Sequence, residues 1–262
     1  MAGEKVMANE KRAGAKAGVP ENNGTDSRTV GAEQRAGAPG RLGAEQRAGA
    51  PGPGKIQFPP GTMLNPVPAV MVSCGTLERP NIITIAWTGT ICSDPAMTYI
   101  SVRPSRYSYD IIRETGEFTI NLVNRDLVFA ADFCGVRSGR DVDKFREQNL
   151  TAAAGKVVGC PSIAESPVNL ECRVTEVKPL GSHDMFLAEI VAVTADESLL
   201  DESGALRLDR AGLVAYNHGH YYGLQREELG RFGYSVMKPK TRKRYEAAKR
   251  ARRRARSKGR RK

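Results

Sequence analysis

Between residues 58 and 237 the apolar positions come in short runs, rich in β-branched side chains and mostly closed by Gly, Pro, Asn or Asp. The run at 67–74 opens the series, and 81–87, 96–102, 117–123, 168–178 and 185–195 follow. Runs of this length between turn residues predict strands. Three intervals predict short helices instead: 105–114, 125–133 and 140–148, each with a polar group placed to start a helix. Many strands with few helices, and no strict alternation of the two, predict a mainly β domain. An antiparallel barrel fits that pattern better than a doubly wound sheet.

The pattern stops on both sides of this segment. Residues 1–57 are largely Gly, Ala, Pro, Glu, Gln and Arg, with a direct repeat of 12-residue period, GAEQRAGAPG at 31–40 and again at 43–52. Such a stretch buries too little apolar surface to offset the entropy of ordering it, and two polar copies do not build a solenoid. It is expected to be a disordered linker. Residues 238–262 hold fifteen Lys or Arg and one acid, Glu246, a net +14 in a chain whose total is +11, so residues 1–237 carry about −3. The basic character therefore belongs to a tail, expected to be solvated when free and helical when bound to an acidic surface or nucleic acid. The domain between is 58–237.

Composition also sets expectations for the compartment. The chain opens with no apolar leader and contains no run of eighteen apolar residues, so neither secretion nor a membrane span is expected. Five cysteines (Cys74, Cys92, Cys134, Cys160 and Cys172) lie far apart without a CxxC pair. That pattern points to reduced thiols in a cytoplasmic protein, with neither a disulfide framework nor a metal site.

No GxGxxG follows a predicted strand and no GxxxxGK[ST] occurs, so Rossmann and Walker phosphate sites are excluded. An anion site of another kind is available at 103–110, RPSRYSYD, where hydroxyls and two guanidinium groups follow a strand and begin a helix. Helix N-termini present unpaired N–H groups to anions, and Arg adds bidentate contacts. The alternative is that Ser105 or Ser108 only caps the helix.

Taken together, NIITIAWTG at 81–89, SDP at 93–95 and RPSRYSYD at 103–110 resemble the flavin reductase-like proteins with an FMN-binding split barrel, and among them the flavoredoxin type. CGVRSGRDVDKF at 134–145, GSHDMF at 181–186 and HYY at 220–222 continue the resemblance in the family's order and spacing. It implies an antiparallel Greek-key split barrel, FMN as cofactor, NADH or NADPH as electron donor, and a homodimer with the flavin near the subunit interface. Carried over by position, it implies that Asn81, Trp87, Ser108, Lys144, His183 and Tyr216 line or hold the flavin; Tyr216 stands where the family carries Phe. Backbone amides of Thr88, Gly89 and Thr90 would meet the ring's carbonyl edge, Gly89 permitting close approach and the donors stabilising negative charge on the reduced ring. Arg103, Ser105, Arg106 and Ser108 would hold the phosphate.

His183 is the candidate catalytic residue. Hydride transfer to flavin needs no acid or base, so positioning and electrostatics are its expected contribution. Plainer readings stand beside these: Trp87 as a core or interface aromatic, Lys144 on a solvated helix face, His183 bonded within its loop, and Cys134 as a buried inert thiol instead of a redox one. Two functions follow from the resemblance, an NAD(P)H-dependent flavin reductase passing electrons to free flavin or another acceptor, and an FMN electron carrier reduced by a partner protein.

Overall fold

A computed structural model describes residues 54–224 and 228–259. Residues 1–53, most of the expected linker, lie outside that range. The elements run β1 (Val67–Pro68), β2 (Val70–Gly75), β3 (Pro80–Ile85), β4 (Thr88–Ser93), β5 (Ala96–Val102), α1 (Tyr107–Thr115), β6 (Glu117–Leu122), α2 (Val128–Val136), α3 (Lys144–Glu147), β7 (Ala152–Ala153), β8 (Ser162–Ile163), β9 (Val168–Pro179), β10 (Asp184–Ala195), β11 (Val214–Asn217), β12 (His220–Gly223) and α4 (Pro239–Gly259).

Seven strands form one antiparallel sheet in the order β3-β2-β6-β9-β10-β5-β4. Laid flat, its two edge strands would stand roughly 29 Å apart at the usual strand spacing. Yet the chain passes from β3 to β4 through Ala86 and Trp87 alone, a reach of about 11 Å at most. The sheet must therefore roll up, bringing its edges to a seam at Trp87. This is a mainly β, split-barrel architecture, as the sequence predicts.

Packing explains why the strand at β2 reads as a continuous apolar run and does not alternate. Val70, Val72 and Cys74 face the barrel interior with Ile83, Ile85, Ile100, Phe118 and Phe186. Met71, on the opposite face, joins Ile82, Leu127, Ala131, Cys134 and Phe145 in a second core beneath α2 and α3. Helix α1 carries the chain from β5 to β6 across the barrel end, and its Tyr109 and Ile112 belong to the interior cluster. The helix thus plugs the barrel. Its C-terminus stops at Gly116, whose φ of 68° is the left-handed conformation that glycine adopts without strain.

Several boundaries differ from the sequence reading. The run at 81–87 ends as a strand at Ile85, because the chain must bend at Ala86-Trp87 to reach the other edge. The expected helix at 140–148 is confined to Lys144–Glu147, started by Asp143, whose carboxylate accepts from the Arg146 amide. A three-stranded sheet, β1-β11-β12, forms where the hydropathy pattern predicts no strand after 195. Tail residues 239–259 form α4.

Candidate functional site

The site is built where β5 ends. Val102 pairs with Asp184, so Arg103 and His183 are the first residues beyond the paired register. The Ser101 amide donates to the Trp87 carbonyl at 3.0 Å, which holds the seam against the same strand. The Trp87 and His183 rings consequently meet, with centroids 4.5 Å apart and planes tilted by 48°. Both are half-buried. His183 Nδ1 lies 2.9 Å from Ser182 Oγ. Behind it, Tyr109 donates its hydroxyl to Asp184 Oδ2 at 2.6 Å, tying α1 to the start of β10.

The beginning of α1 stands beside this pair. Arg106 is its extended N-cap residue, and no side chain caps the first turn. Neither Ser105 nor Ser108 performs the capping role that the sequence leaves open. Arg140 adds a third guanidinium to Arg103 and Arg106: it lies over the Tyr107 ring at 5.2 Å and donates to the Ser105 carbonyl at 3.4 Å. Sequence reasoning missed Arg140 because 35 residues separate it from Ser105; only its place in the RSGRD string marked it.

Three of the expected site residues face inward, beneath that surface. Asn81 Nδ2 donates to Ser108 Oγ at 2.7 Å and approaches Cys74 Sγ at 3.9 Å, with Asn81 and Ser108 only 6% and 2% exposed. Gly139 packs against Asn81 so closely that a Cβ there would collide with Asn81 Oδ1. Lys144 is 5% exposed and donates to the carbonyls of Ile82 at 2.6 Å and Cys134 at 2.8 Å. It is not on a solvated face. Burial holds its ammonium below the usual lysine range, although nearby Cys134 and Cys74 pull the other way. These side chains bind α1, α2 and β3 into one wall behind the site.

Thr88, Gly89 and Thr90 lie on β4, an edge strand that among the described residues pairs with β5, so alternate amides face away from the sheet. Thr88 Oγ1 donates to the Tyr99 carbonyl at 2.6 Å. Tyr216 belongs to the smaller sheet, where its ring meets Tyr221 edge-on at 5.3 Å. Tyr221 in turn donates to Asp132 of α2 at 3.3 Å. Cys134 is buried and its thiol is pushed up to about 11 by desolvation against the opposing pull of Lys144, which makes a thiolate at neutral pH unfavourable. Among the described residues no cluster of His, Cys, Asp or Glu could hold a metal ion.

The family model described as "Flavin reductase like domain" matches residues 63–225. The chain belongs to this family. Every expected site residue lies inside the matched span. Flavoredoxin of Desulfovibrio vulgaris (Miyazaki F) is similar in structure, with 31% identity, a TM-score of 0.64, and coverage of 70% of this chain and 100% of that one. An FMN-binding protein from Thermus thermophilus, solved with 1-cyclohex-2-enone, shares 26% identity at a TM-score of 0.58 over 68% of this chain and 98% of its own. In sequence, the NADH-dependent FMN reductase AsuE2 of Streptomyces nodosus subsp. asukaensis is 24% identical over 157 residues, 58% of this chain and 84% of the relative.

The flavin reductase-like arrangement suits a ligand with one anionic end and one flat aromatic end. Uncapped helical N–H groups and three guanidinium groups suit the anion. The Trp87 and His183 rings and the edge amides of β4 suit a planar heterocycle with carbonyl oxygens on its rim. The residues present therefore fit FMN.

Proposed function

We propose that this flavin reductase-like chain is an FMN-dependent oxidoreductase that takes hydride from NADH or NADPH and delivers electrons to free flavin or another acceptor. The observation that carries the reading is the convergence at one end of β5 of the Trp87–His183 ring pair with the uncapped, arginine-flanked start of α1. FMN, when bound, accepts a hydride and releases its electrons to a second acceptor. Arg103, Arg106 and Arg140 hold the phosphate, with Ser105 at the same turn. Thr88, Gly89 and Thr90 present backbone donors to the ring, while Trp87 packs against it. His183 positions the nicotinamide and stabilises charge as hydride moves. Asn81, Ser108 and Lys144 keep the wall beneath these groups in place, and Tyr216 closes the site from the smaller sheet. The likeness to an NADH-dependent FMN reductase supports the choice of donor.

The edge position of β4 in the described sheet supports a homodimer that completes the site, which sedimentation would test. Purified protein should carry FMN or bind it when added, and NADH or NADPH should bleach the flavin absorption without oxygen. A protein that takes up no flavin refutes the reading. A second function is favoured by the likeness to flavoredoxin along its whole length: an electron carrier reduced by a partner protein. Bleaching that needs an added reductase, with both nicotinamides inert alone, would select it.

A further inference from the structure

Helix α4 lies outside the matched family span, and none of the chemistry above uses it. Its 21 residues, PKTRKRYEAAKRARRRARSKG, include eleven Lys or Arg and one acid, Glu246. At 1.5 Å per residue it is about 31 Å long. Like charges recur four residues apart at Lys240 and Arg244, Arg250 and Arg254, Arg252 and Arg256, and Arg254 and Lys258. Each such pair destabilises an isolated helix. Glu246, the one acid, has basic neighbours on both sides, at Arg242, Lys243, Lys249 and Arg250. A helix of this composition is stabilised by an external polyanion.

The residues of α4 disfavour two kinds of polyanion and suit a third. A membrane surface needs an apolar face, but apart from Tyr245 the only apolar positions after Pro239 are four alanines and a glycine. Single-stranded nucleic acid is held by bases stacked on aromatic rings. Tyr245, the one ring that α4 itself carries, is engaged: its hydroxyl donates to Glu228 at 2.5 Å, and the Arg231 guanidinium lies over it at 5.3 Å. Lys249 Nζ donates to the Leu229 carbonyl at 3.1 Å, fixing the same face toward residues 228–231. Lys240, Arg242, Lys243, Arg244 and Arg250 are exposed. A duplex meets these conditions, because its phosphates need charge without stacking and its major groove, about 12 Å wide, admits a helix.

We infer that α4 is a docking element for double-stranded DNA, held through its phosphates without reading base sequence, that brings the flavin barrel to the duplex. The test uses the full chain and a fluorescent 30-base-pair duplex of arbitrary sequence, with anisotropy followed as salt rises from 50 to 200 mM. For six or more phosphate contacts, affinity should fall about a thousandfold or more across that range. Replacing Lys240, Arg242, Lys243 and Arg244 together with Gln should flatten the log–log salt dependence by about 3.6, from about 0.9 per contact. The matching all-Lys variant should keep it, and both should keep the flavin behaviour of the parent chain. No binding at 50 mM salt, a salt slope unmoved by the Gln variant, or tighter binding to single-stranded RNA or to phosphatidylserine vesicles than to the duplex would overturn the assignment.

Discussion

His183 and Trp87 come together only because Ser101 holds the Trp87 carbonyl while Val102 pairs with the residue after His183. An aromatic contact of this kind is worth about 1 kcal/mol. His183→Ala should therefore slow nicotinamide oxidation roughly tenfold by misplacing the donor, with FMN still bound. Gly139 tests the wall behind the site. Gly139→Ala would push a methyl into Asn81 and within 2.8 Å of the Tyr107 ring, costing about 1–3 kcal/mol and lowering the melting temperature by roughly 5 °C. The Tyr109 hydroxyl is raised above its ordinary value, first by its hydrogen bond to Asp184 and then by burial. A raised phenol contributes stability that is complete below the unfolded value near 10 and is lost as pH rises through the folded value. Tyr109→Phe should thus cost about 1–3 kcal/mol at pH 8, and its gap to the parent chain should narrow above pH 10 in denaturant titrations.

At the level of elements, β-branched runs bounded by turn residues were enough to find β2, β3, β5, β6, β9 and β10. Strand β4 escaped because TGTICS is half-exposed on an edge and has no alternation to report. β11 and β12 are only four residues each, and their burial comes from α2 and β1, which hydropathy does not reveal. The segment after β7 shows the same dependence on distant partners. Glu171, on β9 and 2% exposed, accepts the amides of Lys156 at 2.7 Å, Val157 at 2.7 Å and Val158 at 3.0 Å. Burial pushes its carboxyl up, but these amides outweigh it and hold it below the usual range. A depressed carboxylate stabilises above the unfolded value and loses that contribution as pH falls through the folded one. Glu171→Gln should cost ~2 kcal/mol at neutral pH, speed amide exchange at 156–158, and make the variant's stability less sensitive to pH between 5 and 3.

Over the whole molecule the sequence carries a contrast between an apolar, faintly acidic middle and a basic tail. Cys74, Cys134, Cys160 and Cys172 are all buried, and desolvation raises their thiols to about 12, 11, 11 and 12. Cys92 alone is partly exposed. Native protein at pH 8 should therefore yield one fast-reacting thiol with DTNB, and five after denaturation; more than one in the native state would mean that the packing around a buried cysteine opens readily. What the sequence by itself determined is what short-range chemistry encodes: strands and helices of strong pattern, a candidate anion site at 103–110, and charge segregated to one end. Only the tertiary structure decided that Asn81, Ser108 and Lys144 turn inward, that Arg140 reaches the Ser105 carbonyl and the Tyr107 ring, and that Trp87 meets His183. Those outcomes depend on which segments pack together when the sheet rolls up. Burial and hydrogen-bond partners follow from contacts across 27 to 75 residues of chain, and no local pattern carries that information.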